Sequence, residues 1–229
     1  MDWAEKYRPK HLDEILGNAA AVKQMAMWAQ NWTTDSAPLL LTGKPGIGKT
    51  SAALALARDM GWEVLELNAS DARTKAVIER IAGNSATTAS LFGASRKMII
   101  IDEADNLEGN ADRGGARAIA DLLKTAKQPI LLIANDAYGV SDSIRRICDS
   151  VQFRAIAAST LAKRMKEICV LEQVSCGEDA LSEIAGSAAG DMRSAVNMLF
   201  GSAAGRKSLS ADDVATAQKD ERATIFDLV

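Results

Sequence analysis

The chain has little from which to build a metal centre or a disulfide framework. Its three cysteines, Cys148, Cys169 and Cys176, show no C-x-x-C spacing, and His11 is the sole histidine among 229 residues. A structural zinc site is therefore not expected, and the thiols read as reduced filler of core or surface. Basic excess is lacking too. The formal net charge of -3 excludes a protein that coats DNA by general basicity, so any contact with nucleic acid must come from a local patch. No apolar run reaches 18 residues, so no membrane span is expected. The opening Met1-Asp2-Trp3 has no signal-peptide character, which makes the cytoplasm the expected compartment. Aromatics are scarce at 4%, whereas hydrophobic residues make up 48%. That supports a core for one large domain, or for a large and a small one.

The most informative stretch runs from Leu39 to Thr50. Leu39-Leu40-Leu41-Thr42 is an apolar, strand-like run that opens into Gly43-Lys44-Pro45-Gly46-Ile47-Gly48-Lys49-Thr50, and an Ala/Leu-rich helical segment follows from Ser51. Strand, glycine loop and helix in this order identify a P-loop. Glycines let successive N–H groups curl toward a polyphosphate at the positive end of the helix. Lys49 then reaches the outer phosphates and the Thr50 hydroxyl takes a magnesium site.

Strand-length apolar runs at 38–42, 63–67, 97–101, 130–134 and 151–153 alternate with helical spacing at 22–32, 51–60, 74–82 and 117–124. That alternation predicts a parallel sheet with helices on both faces. Beyond Phe153 the strand signal stops. Ser159 and Thr160 read as helix caps, Leu161, Met165 and Ile168 form an apolar stripe, and helices are predicted over 179–185, 191–200 and 212–218. The expected organisation is a nucleotide-binding domain over 1–153 and a small all-helical lid over 154–221. Residues 222–229 then begin a further domain.

The run Met98-Ile99-Ile100-Ile101 leads into Asp102-Glu103-Ala104-Asp105, placing two adjacent carboxylates where a parallel strand leaves the sheet, the edge at which such folds bind ligands. This reads as a Walker B element: Asp102 serves magnesium, and Glu103 orients and deprotonates the attacking water. Asn135 ends the next apolar run, where a neutral amide can hydrogen-bond both the outer phosphate and the water. By itself Asn135-Asp136 also fits a turn. Gly190-Asp191-Met192-Arg193 puts an arginine in the first turn of a helix, against the helix dipole. Arg193 is either paired with an anion there or simply solvated.

Glycine loop, Asp-Glu-Ala-Asp, strand-end Asn135 and Gly-Asp-Met-Arg, over a strand-rich domain and a helical lid, resemble the AAA+ ATPases. Trp3-Ala4-Glu5-Lys6-Tyr7-Arg8-Pro9-Lys10, Leu12-Asp13-Glu14-Ile15-Leu16-Gly17 and Glu66-Leu67-Asn68-Ala69-Ser70-Asp71 narrow the resemblance to the replication factor C clamp loaders. Gly109 to Gly115 and Ser143 to Cys148 are similar to the archaeal large-subunit branch. The resemblance implies an ATPase that uses ATP and Mg2+ to load a sliding clamp onto primer-template DNA, together with small subunits of the same family. It implies that Tyr7, Arg8 and Pro9 with Ile15, Leu16 and Gly17 line the adenine pocket. Gly43 to Ser51 bind the phosphates, Asn135 is sensor 1 and Arg193 is sensor 2. Lys44 stands where the family often has proline, and it removes no required donor.

Small subunits carry Ser-Arg-Cys, whose arginine enters a neighbour's ATP site. Here the sequence is Arg146-Ile147-Cys148, so by the resemblance this chain receives an arginine and offers none, unless Arg146 substitutes. Residues 224–229 are similar to the start of the collar domain that holds such rings together, which implies a monomer when the chain is alone. Arg73, Arg113 and Arg117 lie near predicted helix starts at positions that face duplex DNA in this family; ordinary solvated arginines are the other reading. Leu91 and Phe92 sit in a glycine- and threonine-rich stretch. They either tuck onto their own domain or, as the large subunit implies, enter the hydrophobic pocket of the clamp. A chaperone-like remodelling ATPase without a DNA role is the alternative function. A module that only binds nucleotide is disfavoured by the intact Lys49, Asp102 and Glu103.

Overall fold

Period-two alternation assigns each aliphatic side chain to one side of a sheet, and both sides are needed here because strand runs such as Leu39-Leu40-Leu41, Met98-Ile99-Ile100-Ile101 and Ile130-Leu131-Leu132-Ile133 are apolar on consecutive residues. The computed structural model describes residues 2–69, 96–107 and 113–217, apart from the side chains of 107 and 113–118. The strands are β1 (Leu39–Thr42), β2 (Glu63–Asn68), β3 (Lys97–Asp102), β4 (Ile130–Ala134) and β5 (Asp149–Gln152). They form one sheet in the order β2-β3-β4-β1-β5, and every pairing is parallel.

On one face Leu39, Leu41, Met98, Ile100, Leu131, Ile133 and Val151 meet Met25 and Ala29 of α2 (Ala19–Gln30) and Ala52, Ala53 and Leu56 of α3 (Lys49–Asp59). On the other, Leu40, Ile99, Ile101, Ile130 and Leu132 meet Ile119, Leu122 and Leu123 of α4 (Arg113–Thr125) and Ile144 of α5 (Asp142–Arg145). Ile100 and Ile101 are neighbours in sequence, lie in opposite cores, and have no solvent exposure. Burying each stabilises the fold by about 1.5–3 kcal/mol.

Pro9–Arg154 forms one compact unit, and the described residues of Met1–Arg8 and Ala155–Val229 form the other. In the second unit α6 (Ala158–Leu171), α7 (Glu178–Ser187) and α8 (Met192–Ala203) enclose Leu161, Met165, Ile168, Leu181, Ile184 and Leu199; a further helix covers 211–217. The N-terminal arm belongs to this unit, although chain order alone places it with the sheet. Trp3 of the short helix α1 (Trp3–Lys6) stands edge-on to Phe200 at 5.3 Å. The Tyr7 hydroxyl and Lys6 Nζ each donate to Glu172 Oε1 at 2.6 Å.

Local details also differ from the sequence reading. Helix α6 starts at Ala158 with Ala157 as its N-cap, so Ser159 and Thr160 lie inside its first turn and cap nothing there. Two-residue strands, β6 (Ser175–Cys176) and β7 (Ser208–Leu209), pair in parallel within the helical unit. The turn into β6 brings Cys176 against Cys169 near the end of α6, with Cα atoms 6.5 Å apart, and the two sulfurs are bonded. The expectation of reduced thiols is corrected for this pair, because a spacing of seven residues closes through a turn that spacing alone does not reveal. The helix expected over 74–82 and the segment 222–229 lie outside the described residues.

Candidate active site

Parallel registration brings the C-terminal ends of the strands to one edge. Asn68 is level with Asp102, and Thr42 with both Ala134 and Gln152. Whatever follows these strands converges there, with β1 central between β4 and β5.

The loop after β1 is shaped by a close approach. Gly43 has φ +140°, and a Cβ on it would lie 2.5 Å from the Phe153 carbonyl oxygen and 2.8 Å from Ile47 Cδ1, so a larger residue cannot follow this path. Lys44, Pro45 and Gly46 continue the loop, and Ile47 drops its side chain into the core at 2% exposure. Gly48 caps α3 with φ +100°, and the first turn, Lys49-Thr50-Ser51, contains no acidic residue. The positive end of the helix dipole is left for an external anion.

Lys49 is 5% exposed, and a buried ammonium must be hydrogen-bonded. Its Nζ donates to the carbonyls of Gly43 and Lys44, the latter at 2.8 Å, and to Asn135 Oδ1 at 3.1 Å. The lysine of the glycine loop and the strand-end amide are thus in direct contact. Thr50 Oγ1 donates to Asp102 Oδ2 at 3.1 Å. A hydroxyl and a carboxylate so placed offer the hard oxygen ligands that magnesium prefers, and they fit such an ion.

Glu103 follows Asp102 in the left-handed region, at φ 56°, and is exposed. A non-glycine residue there stores strain, a feature of functional turns. Its Oε2 accepts from Asn68 Nδ2 at 2.9 Å and from Asn106 Nδ2 at 3.2 Å. Asn106 carries no motif of its own, and Asn68 counts only as part of the segment Glu66 to Asp71, with no role assigned to its amide. Only the level pairing of β2 with β3 brings Asn68 to the carboxylate.

Asn18 would be the natural side-chain cap of α2, but it caps nothing. Its amide instead grips the backbone of Arg154, donating at 3.1 Å and accepting at 2.8 Å. That holds the segment carrying Ile15, Leu16 and Gly17, in which Ile15 packs on the core and Gly17 turns with φ 78°. Pro9 also belongs to the sheet unit, whereas Tyr7, Arg8 and the exposed Arg193 at the start of α8 belong to the helical one. Arg113 and Arg117 lie on α4 with their side chains outside the described residues, as are Arg73, Leu91 and Phe92 altogether.

Ile147 packs against the second core, while Arg146 is the C-cap of α5. Burial, and then the neighbouring Asp149 carboxylate, push the Cys148 thiol up to about 12, so it stays protonated and unreactive at neutral pH. Among the described residues no helix is long and apolar enough to cross a membrane.

Comparison with known proteins agrees with this geometry. The family described as "ATPase family associated with various cellular activities (AAA)" matches residues 39–153, and the "RCF1/5-like, AAA+ ATPase lid domain" matches 163–199. Over all 229 residues the sequence is 78% identical to the replication factor C large subunit of Methanocorpusculum labreanum, of which it covers 48%. It is 61% identical to that of Methanospirillum hungatei, covering 47%. The chain therefore spans about half the length of these curated relatives. Among solved structures, the RuvB Holliday junction branch migration motor of Thermotoga maritima superposes with a TM-score of 0.70 over 93% of this chain and 72% of that one. At 20% identity this likeness concerns the fold alone.

Proposed function

The chain belongs to the AAA family of ATPases, and from that premise we propose that it is the ATP-binding and ATP-hydrolysing module of a clamp loader large subunit. The observation that carries the hydrolytic part is the convergence of Lys49 with Asn135, and of Thr50 with Asp102, beside Glu103 at one sheet edge. In this reading the polyphosphate of ATP lies along Gly43 to Ser51. Lys49 exchanges loop carbonyls for phosphate oxygens, and Asn135 orients the attacking water. Glu103 takes the proton of that water. Thr50 and Asp102 would hold a magnesium ion, whose charge would offset that of the phosphates.

The clamp-loading part is supported by the extent of identity to replication factor C large subunits. Small subunits, a sliding clamp and primer-template DNA are then the partners, in the cytoplasm at the nucleoid. Tyr7, Arg8 and Pro9 with Ile15, Leu16 and Gly17 are assigned to the adenine base and Arg193 to the phosphates, on the resemblance. Arg73, Arg113 and Arg117 are assigned to DNA phosphates, and Leu91 and Phe92 to the clamp, on the same ground. The aliphatic Ile147 supports a subunit that receives an arginine finger without giving one.

The test is ATP turnover by the chain mixed with small subunits, clamp and primed DNA. Turnover that rises only when clamp and DNA are both present supports clamp loading. Turnover indifferent to both favours a remodelling ATPase.

A further inference from the structure

Asp105, the last residue of Asp-Glu-Ala-Asp, has no role in the chemistry above, yet it is one of the most constrained carboxylates near the site. Its Oδ2 accepts two backbone N–H groups from the far side of the edge, Asn135 at 2.9 Å and Asp136 at 3.1 Å. Its Oδ1 is buried and meets no donor among the described residues. The side chain is also wedged from behind, since a Cβ on Gly139 would lie 2.9 Å from Asp105 Cβ. Gly139 closes the single turn Ala137–Gly139, which Asp136 caps by accepting from Tyr138 N at 3.0 Å.

We propose that Asp105 is a positioning residue for hydrolysis: its carboxylate ties the tip of β4, where Asn135 sits, to the turn after β3 that carries Glu103. The proposal deepens the hydrolytic reading given above and rests on it. Two residues act on one water, and they come from different strands. Glu103 stands in a strained left-handed conformation, and Asn135 is the first residue beyond its strand. Backbone pairing ends before either, as the last registered β3–β4 pair is Ile101 with Leu132. Past that point the Asp105 carboxylate takes over the work of the ladder with two charge-assisted bonds, which are stronger than amide pairs. A displacement of about 1 Å between groups that share a reacting atom can cost roughly 10²-fold in rate, so such a tether matters for turnover more than for binding.

The geometry separates three variants. Asp105→Ala removes the acceptor. Asp105→Asn keeps an acceptor oxygen for both N–H groups, and its amide would occupy the Oδ1 position, where no donor would oppose it. Gly139→Ala leaves the carboxylate intact but presses on its Cβ. The experiment measures single-turnover hydrolysis in the mixture with small subunits, clamp and primed DNA, and, on the chain itself, affinity for a fluorescent ATP analogue, melting temperature, and hydrogen exchange of the Asn135 and Asp136 amides.

Asp105→Ala is expected to lower turnover about tenfold or more, with nucleotide affinity nearly unchanged and exchange at both amides accelerated. Asp105→Asn should keep most of the turnover and of the amide protection, with a lower melting temperature because the charge is lost and an amide is buried at the Oδ1 position, and Gly139→Ala should lower turnover less than Asp105→Ala does. Unchanged amide protection in Asp105→Ala would overturn the tether, as would a loss of turnover shared equally by Asp105→Asn. A wild-type chain that binds ATP but does not hydrolyse it even when mixed with small subunits, clamp and primed DNA would overturn the hydrolytic reading instead, and the amide exchange would still decide whether the tether exists.

Discussion

Asn68 donates its side-chain amide to the carboxylate of Glu103 across 2.9 Å, from the end of one strand to the turn beyond its neighbour. Because Asn68 is registered with Asp102, the amide meets the carboxylate one residue further on. A charge-assisted hydrogen bond fixes where a carboxylate points. Glu103 is thus restrained by the same edge that presents it to water.

Asn68→Ala should therefore release the base. Unstimulated turnover is expected to rise about two- to fivefold, the effect of losing a solvent-exposed hydrogen bond worth about 0.5–1 kcal/mol net. Nucleotide affinity should not move. A fall in turnover would show instead that Asn68 aims the carboxylate productively.

Gly43→Ala tests the loop itself. The added Cβ would meet the Phe153 carbonyl oxygen at 2.5 Å in a conformation, φ +140°, that L residues avoid. A cost of about 3 kcal/mol or more is expected, seen as a melting point lower by roughly 5–10 °C and loss of ATP binding. Wild-type melting with intact binding would mean that the loop does not follow this path.

The grouping of Lys49, Thr50, Asp102 and Asn135 was legible in the sequence because it follows from residue types at strand ends. Gly43 to Thr50 and Asp102-Glu103 stand at the ends of apolar runs, and in a parallel sheet those ends share one edge, where the structure brings Lys49 to Asn135 and Thr50 to Asp102. The strands were legible for the same reason, β1 and β4 closely and β5 two residues early. The supporting shell was not. Asn68, Asn106 and Asp105 gain meaning only from strand order and register, which no local pattern encodes. The N-terminal arm misled for a related reason: Trp3 and Tyr7 find partners at Phe200 and Glu172, far along the chain. Nor could Ser159 and Thr160 be told from true caps, since the chain enters α6 one residue before them.

Acid should loosen the arm of the helical unit. The bonds from Lys6 and then Tyr7 hold the Glu172 carboxyl below its usual value. A carboxylate with a depressed folded value stabilises above its unfolded value, and that stabilisation is lost as pH falls through the folded one. The difference in melting temperature between wild type and Glu172→Gln should therefore shrink as pH falls from about 5 to 3. At the other extreme, burial and then the bond to Glu172 raise the Tyr7 hydroxyl, so its contribution is lost as pH rises through that elevated value. A melting difference constant across the acid range would show that Glu172 acts by packing alone.

The account stands on the division of labour between Lys49 and Glu103, and the most direct test is to measure ATP affinity and single-site turnover in Glu103→Gln and Lys49→Ala side by side. Glu103→Gln should bind ATP as wild type does while turnover falls about 10²-fold or more, the scale of a lost general base. Lys49→Ala should weaken binding itself, because the cation that meets the phosphates is gone. Hydrolysis by Glu103→Gln at the wild-type rate would contradict the assignment and place the base elsewhere.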